Sequence, residues 1–475
     1  MSKLHVLKPA SAMRGAVAAI ICSTFVTAAD ALAWLFVYQT IAPTGQMAAA
    51  KYFVMAVAWC VWAAFVHKQY SHRHSFWAEL GLVLQGIFML AFVGSMLKVI
   101  IGNSDNLLAW LVACLLLAFI LPLLRWLARS VIRQCGLWNW PTLVFGGAEN
   151  AQQAVLALRA EAVMGYAVAG VVLPRDARTG VDLLGLGCPP VDWPETEQEF
   201  EQLRGYHCVI ALEAHEFGLR DKLIRQLSQH QVGRVHVIPA MRGVPLFGLQ
   251  TTQFFSHEVL MIHVRNNLMN PIHRCTKRVF DVVGASFLIV VLLPLMLWVA
   301  YKIWRSDGAP VIFSQPRVGK GLKIFNFYKF RSMVNNAENM LKNWEAANSP
   351  EWQEYTSSNF KLANDPRLIS IGAMIRRSSI DELPQLFNVI KGDMSLVGPR
   401  PLLPREKSDY GEDLSLYSQT PPGLTGLWQV SGRSQTTFDD RVAFDAWYVK
   451  NWSIWTDITI LFKTWAVVFK RRGAY

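Results

Sequence analysis

The chain has few charged residues, and it lacks the cysteine pairs that mark a disulfide framework or a zinc site. Only 17% of its 475 residues are charged, whereas 52% are hydrophobic and the mean hydropathy is +0.24. The seven cysteines are scattered without paired spacing, and Cys22, Cys60 and Cys114 lie inside apolar runs. This composition excludes a small disulfide-stapled fold and indicates a membrane protein.

Signals of two other protein classes are also missing. No small-residue cleavage site leads from the first apolar run into a soluble domain, so we do not expect a secretory signal peptide. The net charge is +12, yet no basic stripe accompanies a nucleic-acid-binding motif. Anionic lipid head groups and phosphorylated substrates explain this positive surplus, and we predict no nucleic-acid partner.

The N-terminal region is dominated by apolar runs. Three of them are long enough to cross about 30 Å of hydrocarbon, and the second is marginal. We therefore predict a four-span α-helical bundle over residues 1–136. One charge, Asp30, lies within the first run, so it is either a functional residue or one that only pairs within the bundle. The four runs are Ala16–Thr40, Tyr52–Val66, Leu80–Ile101 and Leu107–Leu124.

The basic residues of the loops predict the orientation of this bundle. The N-terminus, the second loop and the exit after the fourth run hold several Lys and Arg, whereas the other two loops hold one Lys between them. Basic loops stay on the cytoplasmic side of a membrane. We therefore expect both ends of the bundle, and everything after residue 135, to be cytoplasmic.

Residues 137–272 alternate strands with helices, which predicts a parallel sheet. The turn at Gly146–Ala151 lacks the third glycine of G-x-G-x-x-G, and no acidic residue clearly closes the next strand. We predict a Rossmann-like α/β domain without a bound cofactor, which regulates or dimerises the protein; a dinucleotide site is the alternative. The predicted strands are Thr142–Phe145, Val168–Leu173, Cys208–Leu212 and Val235–Ile238, and the predicted helices are Ala151–Ala162, Glu195–Leu203 and Glu216–Gln231.

A further apolar run, Phe280–Trp304, has basic residues on both flanks and contains Pro294. Two basic flanks favour a segment that enters and leaves on the cytoplasmic face, and Pro294 removes a helical hydrogen bond. We predict a re-entrant helix hairpin, with a fifth span kinked at the proline as the alternative. Asn451–Trp465 near the C-terminus predicts an amphipathic helix, either in the membrane interface or in the core.

The segment 376–401 carries the strongest chemical signal. Asp381 and Glu382 are adjacent, and the arginines around them are Arg376, Arg377 and Arg400. One carboxylate can attack phosphorus or bind a divalent cation while the arginines hold phosphate oxygens. The alternative is that both acids merely begin a short helix, capped by Ser379 and with Pro384 in its first turn, where carboxylates are electrostatically favoured.

The segment Val311–Met333 alternates apolar and polar residues, as in a β-hairpin. Its glycine–lysine cluster does not have Walker A spacing. Lys320 and Lys323 are expected to be solvated, whereas Lys329 and Arg331 lie among apolar residues and are predicted to bind phosphate. A single exposed, charged helix is predicted over Asn335–Thr356.

The hairpin, Ser379–Gln385, Gly392–Pro401 and Pro422–Arg433 together resemble the bacterial polyprenyl-phosphate hexose-1-phosphate transferases, which are monotopic phosphoglycosyl transferases. The resemblance covers residues 273–475. The preceding bundle and Rossmann-like region resemble the long form of that family. The resemblance therefore implies a mostly α-helical catalytic domain over 273–475, with its re-entrant segment at about 280–304.

The resemblance also implies roles for individual residues. Asp381 would attack the β-phosphate of a UDP-hexose, releasing UMP and forming a covalent aspartyl sugar phosphate that undecaprenyl phosphate then consumes. Glu382 would place Mg²⁺. Phosphate oxygens would be held by the remaining basic residues of the motifs: Lys329, Arg331, Arg376, Arg377, Arg400 and Arg433.

Galactose is the sugar that the resemblance favours, at the first membrane step of O-antigen synthesis in a bacterial inner membrane. Glucose, in capsule or exopolysaccharide synthesis, is the alternative, because no residue separates the two epimers. A homodimer is expected. Two other classes remain open: a membrane receptor or scaffold, which leaves the Asp381 region unexplained, and a transporter, which the near absence of intramembrane charge disfavours.

Overall fold

The computed structural model describes residues 12–41, 46–65, 69–70, 73–100, 107–174, 187–241, 250–253, 260–263, 267–357, 362, 365–431 and 437–469. The chain separates into two compact units, Met1–Arg242 and Gly243–Tyr475. The predicted division of the first unit at residue 136 stays a prediction.

The first unit begins with four apolar helices, α1 (Ala12–Ile41), α2 (Gln46–Phe65), α3 (Phe76–Ile100) and α4 (Leu107–Gln134). They share one buried cluster, to which Trp34, Trp59, Val83 and Leu117 each contribute from a different helix. By length and composition, Ile20–Thr40 of α1, all of α3 and all of α4 can cross a membrane, whereas the apolar part of α2 is shorter. The four predicted runs therefore form a packed bundle, as a membrane protein requires.

Asp30 is fully buried and paired inside this bundle. Its carboxylate accepts hydrogen bonds from Arg125 Nε at 2.7 Å, Trp59 Nε1 at 3.0 Å and the Tyr70 hydroxyl at 2.6 Å. Arg125 also lies 3.1 Å from Glu79. Because a buried charge needs such partners, the alternative in which Asp30 pairs within the bundle is confirmed.

A five-stranded parallel sheet completes the first unit, in the order β3-β2-β1-β4-β5. The four predicted strands and three predicted helices are confirmed to within a few residues at their ends. The third strand escaped prediction because three residues are too short to show a period of two. The elements are β1 (Trp140–Phe145), α5 (Glu149–Ala160), β2 (Tyr166–Leu173), β3 (Pro190–Asp192), α6 (Glu197–Gln202), β4 (His207–Ile210), α7 (Phe217–Gln229) and β5 (Val235–Val237).

The second unit starts with the short hairpin β6 (Gln250–Gln253) and β7 (Leu260–His263) and continues into the 37-residue helix α8 (Pro271–Asp307). Asn270 caps α8 by accepting a hydrogen bond from the backbone N–H of Ile272. Pro294 lies inside this one helix, so the predicted break at Pro294 into a hairpin of two helices is not observed. The helix is the fourth segment of the described residues that can cross a membrane by length and composition.

The rest of the unit is built around an antiparallel hairpin in which Ile312 faces Phe330. The single helix predicted over Asn335–Thr356 is wrong, since two helices meet at Asn348, whose φ of +44° cannot continue a helix. The elements are β8 (Ile312–Val318), β9 (Ile324–Phe330), α9 (Ala337–Ala346), α10 (Pro350–Ser357), α11 (Gly372–Arg377), α12 (Gln385–Lys391), β10 (Ser395–Val397), α13 (Leu414–Tyr417), β11 (Gly423–Thr425), α14 (Leu427–Ser431), α15 (Phe438–Lys450) and α16 (Ile454–Phe469).

Buried polar contacts fasten α8 to this unit. Lys277 Nζ donates to Asp457 of α16 at 2.6 Å and to the carbonyl of Val397 in β10 at 3.0 Å. Tyr448 of α15 donates its hydroxyl to the same Asp457 at 2.7 Å. Lys277 therefore joins α8 directly to α16 and β10, and Asp457 links α15 to the same buried contact.

We expect Lys277→Met to lower the thermal unfolding temperature of the second unit in detergent. Removing the lysine leaves Asp457 buried without its cation, which costs about 3 kcal/mol. Lys342→Met, at an exposed position of α9, is the matched control. Equal unfolding temperatures for the two variants would show that the Lys277 contacts contribute nothing to stability.

Candidate active site

Asp381 and Glu382 lie in a single 3₁₀ turn, Ile380–Glu382, between α11 and α12. The prediction of one short helix that is capped by Ser379, contains both acids and has Pro384 in its first turn is therefore wrong. Ser379 has a left-handed backbone (φ +55°) and makes no side-chain cap, while Pro384 precedes the first residue of α12. Proline lacks an N–H and has a fixed φ, so it suits the beginning of α12 and separates this helix from the acidic turn.

Strand β9 brings the first cation to the acidic pair. Lys329 Nζ donates to Glu382 Oε1 at 2.8 Å and lies 3.7 Å from Asp381 Oδ2. Asn388 of α12 fixes this arrangement, because it accepts from the Tyr328 N–H at 3.1 Å and donates to the Asn326 carbonyl at 2.7 Å. The helix after the turn is thus bonded to the strand that carries Lys329.

Asp381 is the more buried of the two acids, with 7% of its surface exposed. Burial raises its pKa to about 6, against the opposing effects of Lys329 and, more weakly, of Arg376; the neighbouring Glu382 adds to the rise. The group is therefore ionised at neutral pH but takes up a proton under mildly acidic conditions. A buried carboxylate with a pKa of about 6 is better suited to act as a nucleophile than a surface carboxylate is.

The acidic turn rests on an apolar cluster shared with the second half of α8. Val299 and Ile303 of α8 pack with Phe330 and Ile375, and Ile380 packs against the same cluster. The backbone of Gly372 in α11 also passes close to the backbone of Ser332, since a Cβ on Gly372 would lie 2.2 Å from the Ser332 carbonyl oxygen. The site is therefore positioned directly by the apolar helix α8.

The predicted phosphate-binding residues occupy different places. The charge of Arg376 acts on Asp381, whereas Arg377 is exposed and donates to the carbonyl of Ala373 at 3.3 Å. Arg331 donates to the carbonyls of Asp307 and Gly308, at 3.0 and 2.8 Å, and so holds the end of α8. The structure thus brings Lys329 and Arg376 to the acids; the phosphate contact of Arg331 stays a prediction, and Arg433 lies outside the described residues.

Arg400 belongs to a second group of cations. Its guanidinium carbon lies 5.5 Å from the centre of the Trp428 ring, and that of Arg441 lies 5.6 Å from the same ring. Arg317 is the third member, and its pKa is lowered by burial and then by repulsion from Arg400. Sequence reasoning missed Arg441; its signal is the i,i+4 pair that it forms with Asp445 on an otherwise apolar helix face.

The donor set at the acidic turn suits magnesium. Among the described residues, no group of three or more His, Cys, Asp or Glu side chains converges on one point. Mg²⁺ is usually held by one or two carboxylates together with substrate phosphates and water, rather than by a cage of protein ligands. Asp381 and Glu382 fit that pattern.

Comparison with known proteins decides the family. Residues 272–471 match the model of the family described as bacterial sugar transferase. The chain is 38% identical to the undecaprenyl-phosphate galactose phosphotransferase of Salmonella typhimurium, over 89% of this chain and 88% of that protein. The chain belongs to the bacterial sugar transferase family. The resemblance found in the motifs is thereby confirmed, and the chain is a transferase rather than a receptor or a transporter.

Other relatives of this sugar transferase differ in the sugar that they are named for. The UDP-galactose-lipid carrier transferase of Erwinia amylovora is 39% identical over 89% of this chain and 87% of its own length. The undecaprenyl-phosphate glucose phosphotransferase of Komagataeibacter xylinus is 35% identical, but over only 48% of this chain and 42% of its own. Two relatives that match over nearly the whole chain are thus named for galactose, whereas a third, from Haemophilus influenzae and 38% identical over 88% of both chains, is named only as a sugar transferase.

We expect kcat/KM of this sugar transferase to rise with pH through about 6 and then to level off. As the predicted nucleophile, Asp381 would act in its carboxylate form, and its raised pKa means that protonation should remove activity at a pH where an ordinary aspartate is still ionised. Lys329→Met should move the inflection upward, since Lys329 is the main charge that lowers this pKa, while Lys320→Met in the exposed turn should leave it in place. A flat profile between pH 5 and 8 would contradict the assignment.

Proposed function

We propose that the protein transfers a hexose 1-phosphate, with galactose as the first choice of sugar, from a UDP-hexose to undecaprenyl phosphate and releases UMP. The observation that carries the proposal is the buried Asp381 carboxylate, 3.7 Å from Lys329 and next to Glu382. The names of two of the relatives that match over nearly the whole chain support galactose and a lipid acceptor. Glucose is the second candidate, supported by the shorter match to a glucose phosphotransferase.

In the first step Asp381 attacks the β-phosphorus of the donor. A bond forms between a carboxylate oxygen and that phosphorus, the bond from phosphorus to the oxygen bridging the two phosphates breaks, and UMP leaves with the electron pair. Lys329, which faces both acids, offsets the negative charge of the phosphoryl oxygens. Burial of Asp381 keeps water away from the aspartyl phosphate.

In the second step an oxygen of undecaprenyl phosphate attacks the same phosphorus, and the bond from phosphorus to the Asp381 oxygen breaks. The carboxylate is regenerated, and the sugar phosphate leaves on the lipid as a diphosphate. Glu382 would hold Mg²⁺, which offsets the charge of the diphosphates when it is bound. In the structure Glu382 accepts a hydrogen bond from Lys329, and Lys329 would hold a phosphate oxygen if Mg²⁺ occupied the Glu382 carboxylate.

We infer that α8 enters and leaves the membrane on one face. Lys277 near its start bonds the Val397 carbonyl, and Ser306 near its end lies 3.1 Å from Ser370. If α8 crossed the bilayer, the chain from Ser370 to Val397 would have to cross as well. That segment carries Arg376, Arg377 and Lys391, and none of the four described helices able to cross a membrane lies within it.

Cysteine labelling tests this path. Cys275, which is exposed near the start of α8, and an Arg305→Cys variant near its end should react equally with an impermeant maleimide in inside-out vesicles, and neither should react in intact cells. Replacing the other exposed cysteine, Cys135, removes the background. Labelling of one end only in either preparation would establish a spanning helix.

The parallel sheet of the first unit is proposed to be a Rossmann-like domain without a dinucleotide. Its strand order matches the first five strands of that fold. In dinucleotide-binding proteins a pyrophosphate lies at the N-terminus of the helix after the first strand. Here the Glu213 carboxylate accepts the Asn150 N–H at 2.8 Å in the first turn of α5, so a protein anion already lies there. The homodimer and the inner-membrane location stay predictions.

The direct test of the proposed function is UMP release from a panel of UDP-sugars by membranes that contain the protein, with undecaprenyl phosphate and Mg²⁺. We expect UDP-galactose to be the best donor. Asp381→Asn should lower kcat by about four orders of magnitude, because it removes the nucleophile. Asp409→Asn, at an exposed position, is the control. Full activity of Asp381→Asn would exclude the covalent route, and equal rates with every UDP-sugar would exclude selectivity for galactose.

A further inference from the structure

A second cluster of cations lies beside the Gly-Pro-Arg-Pro segment that ends at Pro401. Arg317 of β8 donates from Nη1 to the Pro401 carbonyl at 3.3 Å, and Arg441 of α15 donates from Nη2 to the Arg400 carbonyl at 3.5 Å. Arg400 is the exposed member, whereas Arg441 is buried, with 7% of its side chain exposed. The guanidinium groups of Arg317 and Arg441 thus hold the adjacent carbonyls of Pro401 and Arg400, and Arg400 itself carries the third guanidinium group of the cluster.

The cluster carries more positive than negative charge. Arg441 lies 3.7 Å from Glu406 and 3.9 Å from Asp445, so two acids accompany the buried arginine of the cluster. One oxygen of Asp445 also accepts from the Tyr410 hydroxyl at 2.6 Å. Burial and then repulsion from Arg400 lower the pKa of Arg317 to about 10. Three neighbouring cations against two acids favour the binding of a further anion.

Two donors in the cluster are unsatisfied. The Nε atoms of Arg317 and Arg441 are both buried, and among the described residues neither has a hydrogen-bond acceptor. A buried donor without a partner is unfavourable unless a ligand or water satisfies it. The guanidinium groups of Arg400 and Arg441 also lie against the Trp428 ring, which offers a flat apolar surface beside the charges.

The cluster lies close to the acidic turn. Lys329 Nζ is 5.5 Å, and Arg317 Cζ is 5.4 Å, from the centre of the same Phe327 ring, so the two cations are at most about 11 Å apart. The two phosphorus atoms of a diphosphate share one bridging oxygen. With charge-assisted hydrogen bonds of about 2.8 Å at each end, such a group fits between the two cations.

We propose that Arg317, Arg400 and Arg441 form a second phosphate subsite, which holds the phosphate that is not transferred. This inference rests on the proposed function, in which that group is the α-phosphate of the nucleotide donor and later the phosphate of UMP. Arg400 contacts the phosphate, and Arg317 and Arg441 are positioning residues that hold its backbone and add charge. A phosphate monoester of the lipid acceptor has the same chemistry, so the test separates the two sources.

The test uses the full-length protein with Arg441→Gln, which removes the charge and keeps a polar side chain. We expect KM for the UDP-hexose and the inhibition constant of UMP to rise about tenfold, because the subsite loses one positive charge and the guanidinium group that holds the Arg400 carbonyl. The value of kcat should change less than threefold, and KM for undecaprenyl phosphate should stay the same. Arg441→Lys should recover most of the loss, and Arg405→Gln, at a nearby exposed position, should change nothing.

Two outcomes would overturn the proposal. If Arg441→Gln is folded, by its thermal unfolding temperature, and leaves all three constants unchanged, the cluster is structural. If only KM for undecaprenyl phosphate rises, the subsite belongs to the lipid and not to the nucleotide. Should Arg441→Gln fail to fold, Arg317→Gln, at a half-buried position, replaces it with the same expected values.

Calorimetric binding of UMP separates this inference from the proposed function. A wild-type protein that binds UMP but releases none from any UDP-hexose would contradict the proposed reaction while leaving the subsite intact. Equally tight UMP binding by wild type and by folded Arg441→Gln would contradict the subsite, even if the reaction is confirmed.

Discussion

The contact of one lysine with two adjacent carboxylates is the interaction on which the site depends. Lys329 bonds Glu382 at 2.8 Å and lies 3.7 Å from Asp381. Two neighbouring carboxylates in a partly buried turn repel each other, and a cation beside them opposes that repulsion. Burial raises the pKa of Asp381 to about 6, and Lys329 opposes this rise, so that Asp381 is ionised near neutral pH. The acids are thereby ready to meet a phosphate or a metal without rearrangement of the backbone.

The fold brings this contact to an apolar helix. The turn that holds Asp381 packs on the second half of α8, and Arg331, directly after β9, bonds the end of the same helix. At the other end, Lys277 ties α8 to β10 and α16. A soluble nucleotide sugar and a lipid phosphate have to meet at a membrane surface, and a site built directly on an apolar helix is a suitable place for that encounter.

Much of the fold could be predicted from the sequence because its signals are long or regular. The apolar runs and the alternating strands and helices of the sheet repeat over many residues, and the β8–β9 hairpin has both a period and a turn. The missed features are short or depend on contacts between distant residues. Strand β3 has only three residues, and the break at Asn348 depends on one backbone angle.

In the candidate site too, sequence patterns were predictable, whereas contacts between distant residues were not. The motif around Asp381 and its neighbour Lys329 were recognisable as sequence patterns, and the structure brings the two side chains together. The position of Arg331 was not recognisable from the sequence, because its partners are carbonyl groups at the end of α8, more than twenty residues away. Arg441 lies on a helix with no motif of its own, and its significance depends on the 3.5 Å contact with the Arg400 carbonyl.

Asp381 is proposed to carry the sugar phosphate between donor and acceptor. The most direct measurement is peptide mass spectrometry of the protein after reaction with a UDP-hexose in the absence of undecaprenyl phosphate, followed by acid quenching. We expect one hexose-phosphate adduct, on the Asp381 side chain, that disappears when undecaprenyl phosphate is added before the quench. Transfer to the lipid without any adduct, or with the adduct on another residue, would contradict it.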